Sequence, residues 1–112
     1  LDGRGSLLEN INKIKMKAVF IVYNQAHNEK IEYILDRLNL RGYSQWPEIF
    51  GRGSHEGDPH MGTHTWPESN SATITIVDND KVEPLLESIK KLDKVNEEVG
   101  IRAFVWDIEK SV

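Results

Sequence analysis

Lys17 to Asn24, Lys-Ala-Val-Phe-Ile-Val-Tyr-Asn, is almost continuously apolar and rich in β-branched and aromatic side chains. A run of that length predicts a strand. Both of its parities are apolar, which predicts a central strand covered on both faces. Ile31, Ile34, Leu35 and Leu38 then recur at i, i+3, i+4 and i+7. That spacing draws one apolar stripe on a helix running roughly from His27 to Arg41. Gly42 stands where a left-handed C-terminal cap is wanted. Tyr43 to Phe50 predicts a second strand, and Pro47 marks an edge or a bulge in it because proline cannot donate to a ladder. Ala72 to Val77 alternates cleanly. Its pattern predicts Ala72, Ile74 and Ile76 facing the core, with Thr73 and Thr75 facing away. A second helix is signalled by Asp80 as cap, Glu83 three residues later and Pro84 in the first turn. Val82, Leu85, Leu86, Ile89 and Leu92 form its stripe, and Lys90, Lys91 and Lys94 fall where the helix dipole favours cations. Ile101 to Ile108 reads as a last strand.

The order is strand, helix, strand, long loop, strand, helix, strand. This is the α+β, ferredoxin-like βαββαβ sandwich: a four-stranded antiparallel sheet with two helices on one face and the long loop between strands 2 and 3. Two helices cover only one face. Phe20, Val22, Phe104 and Trp106 alternate with the residues that would meet them. An aromatic sheet face left in water would be an unusually large apolar patch. The expectation is a homo-oligomer closed through that face. Trp46 and Trp106 are read as core or interface, and His27 as an exposed residue of the first helical turn.

Composition narrows the function without naming it. With 112 residues the chain fits one domain. A net charge of -4 gives no basic stripe for nucleic acid. No apolar run reaches the length of a membrane span, and no signal peptide is read at the start, so the expected address is cytoplasmic. Without cysteine there is no disulfide, thiolate metal site or thiol nucleophile. Residues 1–15 read as a leader or expression-derived segment, with Met16 a natural start and 16–112 the folded domain. A native arm is the alternative, since Leu7, Leu8, Ile11 and Ile14 suit a short amphipathic turn.

The remaining chemistry concentrates in the interruption from Gly51 to Asn70. Gly51, Gly53, Gly57, Gly62, Pro59 and Pro67 break both helix and strand there. A long irregular connection in so short a chain points to function. His55, His60 and His64, with Glu56 and Asp58 among them, offer imidazole and carboxylate suited to Zn(II), Cu(II), Ni(II) or Co(II). Their spacing matches no helical zinc motif, and three solvated histidines that touch a partner or nothing are the competing reading. Gly51, Arg52, Gly53 and Ser54 could bind a phosphate or carboxylate through backbone amides and the guanidinium, although this is not a Walker sequence. Met61 and Trp66 suit contact with a partner protein. Ser54, His55 and Asp58 include the residue types of a hydrolytic site, but no nucleophile elbow accompanies them, so the expectation is not an enzyme.

Gly42-Tyr43-Ser44 through Glu48-Ile49-Phe50-Gly51-Arg52-Gly53-Ser54-His55-Glu56-Gly57 resembles the second strand and loop entrance of the PII (nitrogen regulatory protein P-II) signalling family, which carries a Gly-Phe-Gly-Arg-Gln-Lys-Gly type sequence there. Gly100-Ile101-Arg102-Ala103-Phe104-Val105 is similar to the family's Gly-Lys-Ile-Phe-Val last strand, with one residue inserted. The resemblance implies a ferredoxin-like homotrimer with ligand clefts between subunits. It also implies a signalling T-loop at 51–70 that reaches a target protein, a transporter or an enzyme. Family members commonly sense adenine nucleotides and 2-oxoglutarate and act by binding. By this resemblance Arg102 matches a basic ligand-binding position. The chain also departs from the family. Leu92 to Gly100 is nearly free of glycine and carries Glu97 and Glu98, where ATP-binding members have a glycine-rich phosphate cradle. The loop has no tyrosine for a nucleotidylation switch, and no basic segment follows the last strand. A CutA-like or efflux-associated accessory that binds divalent metal and no nucleotide is the alternative.

Overall fold

A computed structural model describes residues 15–50, 69–95 and 100–112. Strand β1 (Met16–Asn24) leads through a 3₁₀ turn (Gln25–His27) into helix α1 (Asn28–Arg37). Strands β2 (Tyr43–Ile49) and β3 (Asn70–Asp78), helix α2 (Asn79–Val95) and strand β4 (Arg102–Asp107) follow. The sheet order is β2-β3-β1-β4, and every pairing is antiparallel. This is the expected ferredoxin-like sandwich. β1 is central, as its two apolar parities require.

The core lies between the helices and one sheet face. Val19, Ile21 and Tyr23 of β1 meet Ile31, Ile34 and Leu35 of α1 and Val82, Leu85 and Ile89 of α2. Leu86 and Leu92 of the expected α2 stripe are only partly buried at its margin. Pro47 does mark a bulge. The β2–β3 register shifts between Trp46, opposite Ala72, and Ile49, opposite Asn70.

Three local expectations are corrected. First, β3 turns its threonines inward. Val19 stands opposite Thr75 and Ile21 opposite Thr73, so both threonines share the helix-facing side and are buried. Ala72, Ile74 and Ile76 stand opposite Val22, Phe20 and Ala18 on the other face, with Ile76 exposed. The burial is tolerable because each hydroxyl is bonded. Thr75 Oγ1 donates to Gly42 O at 2.8 Å, and Thr73 Oγ1 shares a hydrogen bond with Tyr23 OH at 2.7 Å. Hydrogen-bonded and β-branched, threonine suits a buried pleat.

Second, α1 stops before Arg41, and Gly42 does not cap it. Asn39 takes the left-handed conformation, φ 63°. Leu40 N–H donates to Leu35 O at 2.8 Å and Asn39 N–H to Asp36 O at 3.0 Å. These are the two bonds of a Schellman cap. Leu40 then buries its side chain in the same core as Leu35, which fixes where the chain turns. Third, α2 begins at Asn79, whose N–H donates to Lys15 O at 2.8 Å. Asp80 therefore lies within the first turn, where its carboxylate meets the positive end of the dipole.

Candidate functional site: the loop root and the open sheet face

Of the residues singled out for chemistry, the loop set lies outside the described residues. It comprises Gly51, Arg52, Gly53, Ser54, His55, Glu56, Asp58, His60, Met61, His64 and Trp66. Among the described residues no group of three or more His, Asp or Glu could hold a metal. The structure shows where the loop is anchored. Ile49 pairs with Asn70, and Asn70 pairs in turn with Asn24, so the loop departs at the end of the sheet where β1 finishes and α1 starts.

That root is held by polar contacts. Pro47 and Glu48 stand in the bulge opposite Ser71 alone. Ser71 Oγ donates to Pro47 O at 2.7 Å. Gln25 N–H donates to Ser69 O at 2.9 Å. Beneath them, Tyr23 OH donates to Asn28 Oδ1 at 3.0 Å and accepts from Gln45 Nε2 at 3.1 Å. Gln45 Nε2 also reaches Asn28 Oδ1. This network ties β1, β2, β3 and α1 together below the loop. Sequence reasoning missed it. Its one signal is a tyrosine on the same strand parity as Val19 and Ile21, since a buried phenol needs partners.

Arg102 opens β4 and is exposed. It stands opposite Val22, which stands opposite Ala72, which stands opposite Trp46. Arg102 and the loop-bearing strand thus occupy opposite edges of the sheet at the same end. Three strand spacings separate them, roughly 14 Å.

His27 is not an exposed first-turn residue. It is 4% exposed, and among the described residues neither ring nitrogen has a hydrogen-bond partner. The 3₁₀ turn draws it inward because Asn24 caps that turn, its Oδ1 accepting from Ala26 N–H at 2.7 Å.

The open face carries the aromatics. Phe104 is 52% exposed, and Trp46 and Trp106 are each 46% exposed. Phe20 lies between the two tryptophans, 6.1 Å from Trp46 edge-on and 6.4 Å from Trp106 between centroids. Lys17 and Asp107 form an ion pair near the far end of the β1–β4 ladder. The lysine's hydrogen bond and its charge hold the Asp107 carboxyl below the usual value. On the helix side of β2, partial burial raises the Tyr43 phenol, and the charges of Glu32 and Asp36 on α1 add to it. A cavity of about 190 Å³ lies between α2 and β4, lined by Leu86, Ile89, Lys90, Asp93, Ile101 and Ala103. Its aspartate is already engaged, Oδ1 accepting from Ile101 N–H at 2.8 Å. No helix among the described residues is long and apolar enough to cross a membrane.

A family model described as nitrogen regulatory protein P-II matches residues 16–112. Among solved structures, CPII from Thiomonas intermedia K12 bound to ADP and bicarbonate is 30% identical, with a TM-score of 0.64 over 84% of this chain and 86% of that one. The same protein bound to ADP, AMP and acetate aligns at 26% identity and a TM-score of 0.69, over 88% of this chain and 91% of that one. GlnK of B. subtilis, at 19% identity, a TM-score of 0.66 and coverage of 88% and 89%, shares the fold. No curated protein matches the chain.

Proposed function

The chain belongs to the nitrogen regulatory protein P-II family, and on that premise we propose that it is a regulatory protein binding an adenine nucleotide together with a small oxyanion in clefts between the subunits of a homotrimer. The observation that carries this reading is the 30% identity to a CPII bound to ADP and bicarbonate. Two features of the chain support it. The aromatic sheet face supplies apolar surface for a second copy to cover. Arg102 and the loop root lie on opposite sheet edges at the same end, an arrangement in which neighbouring copies can contribute to one ligand site. The glycine-poor run Leu92 to Gly100, with Glu97 and Glu98, favours a ligand with fewer phosphate charges than ATP. ADP or AMP with bicarbonate fits that limit.

The protein acts by binding rather than turnover, in the cytoplasm. Ligand contact orders or reshapes the loop at 51–70, and a target transporter or enzyme reads the change through Met61 and Trp66. Gly51, Arg52, Gly53 and Ser54 are the loop's proposed ligand contacts, through backbone amides and the guanidinium. A second reading rests on a different observation, three histidines within ten residues. His55, His60 and His64, with Glu56 and Asp58, would take a divalent transition metal as the loop's effector.

Calorimetry on the metal-free protein separates the two. The first reading predicts heat with ADP or AMP that grows when bicarbonate is present. No heat with any nucleotide, with or without bicarbonate, rejects it. The second predicts Zn(II) binding that disappears when His60 and His64 are both changed to Ala. Unchanged zinc affinity in that variant rejects the site.

A further inference from the structure

The short turn Gln25–His27 touches both shoulders of the loop. Gln25 N–H donates to Ser69 O on the returning shoulder at 2.9 Å, and its side-chain Nε2 donates to Pro47 O on the departing shoulder at 3.4 Å. Pro47 lies in the β2 bulge, where Ser71 Oγ donates to the same carbonyl. Gln25 itself is exposed, so its bonds can be exchanged for water without unpacking the core.

Two residues on, the same turn buries His27. Its ring nitrogens are the only buried side-chain polar atoms among the described residues that lack a hydrogen-bond partner. Other buried polar side chains differ. Tyr23, Thr73, Ser71 and Thr75 are all bonded. A buried donor and acceptor left unpaired forfeit the hydrogen bonds that water would make to them. Such a group persists only where neighbouring contacts hold it in place.

The turn therefore carries two opposed contributions. With the turn in, Gln25 is bonded to both shoulders and His27 is orphaned. With the turn out, the shoulders are released and the imidazole regains water. We propose that Gln25–His27 is a two-state latch on the root of the loop. Its inward state fixes the spacing of Pro47 and Ser69, and its outward state frees it. Because the turn is continuous with α1, a movement of α1 reaches the loop through this latch. The device requires no nucleotide, so it stands or falls separately from the proposed function.

The test is amide hydrogen exchange on the full chain without ligand, comparing position 25 with Val19 in the centre of β1. His27→Leu and His27→Phe remove the orphaned nitrogens and favour the inward state. Exchange at position 25 is expected to slow roughly tenfold, with a smaller change at Val19. Gln25→Ala removes the side-chain half of the clasp, and exchange at position 25 is expected to quicken about threefold with Val19 unchanged. Unchanged or faster exchange in both folded His27 variants overturns the latch. So does unchanged exchange in Gln25→Ala. Loss of folding in both His27 variants also overturns it, because the latch predicts them at least as stable as the parent.

Discussion

The two faces of the sheet are built from the same four strands and have opposite characters. The helix-facing side mixes aliphatic residues with Ser71, Thr73, Thr75 and Tyr23, and it is closed except on the edge strands, where Tyr43 and Val105 stay exposed. Its hydroxyls are bonded to one another or to main-chain carbonyls. The other side carries Phe20, Trp46, Ile76, Phe104 and Trp106, and much of that surface meets water in the single chain. Polarity is thus reversed relative to exposure. The buried side can hold polar groups because the chain itself supplies their partners. The open side holds the larger apolar groups, and the described residues leave most of them only partly covered. One face is finished by the fold, and in the proposed trimer the other is completed by association.

That contrast can be broken from either side. The largest expected effect is in the closed face. Leu85 is fully buried in the core, and Leu85→Ala should cost about 3 kcal/mol, read as a lower midpoint in urea. A loss well under 1 kcal/mol would mean that the helix layer is not closely packed. A smaller loss is expected from Thr73→Val, which keeps the shape but removes a partner of the Tyr23 phenol. It should cost about 1–2 kcal/mol, while Ile74→Val on the open face costs less in the same assay. Reversal of that order would contradict the assignment of faces. The smallest effect concerns the exposed Lys17–Asp107 pair. The Asp107 pKa is lowered from its ordinary 3.8 in the folded state, so its contribution is present above that value and is lost as pH falls through the folded one. Asp107→Asn should therefore lower the melting temperature slightly near neutrality and not at all in strong acid. A gap that persists at low pH would assign it to packing instead.

Much of the fold was legible because period and length carry it. The double-parity apolar run placed β1 at the centre, and the i, i+3, i+4 stripes found both helices. Pro47 announced its bulge by lacking a donor. What escaped depends on partners distant in sequence. Alternation in β3 reveals a period of two but not which parity faces in. That choice was made by Tyr23 and Gly42, which bond Thr73 and Thr75 from other strands and turns. The cap of α1 fell to Asn39 because Leu40 had to reach the core, a packing demand that Gly42 could not reveal. His27 looked exposed by its place in a helical pattern, whereas a 3₁₀ turn rotated it inward. Of the candidate ligand residues only Arg102 lies in the described part, and its position on the edge opposite the loop became visible only with the strand order.

Mass in solution, from light scattering on the purified chain and on Phe104→Glu, decides whether the aromatic face completes the molecule by association. The parent should weigh three times the 12.8 kDa chain mass. The variant should fall to a single chain that keeps its helical circular dichroism, since Phe104 touches only the open face. A parent that runs as a single chain at micromolar concentration, or a Phe104→Glu trimer as stable as the parent's, would contradict it.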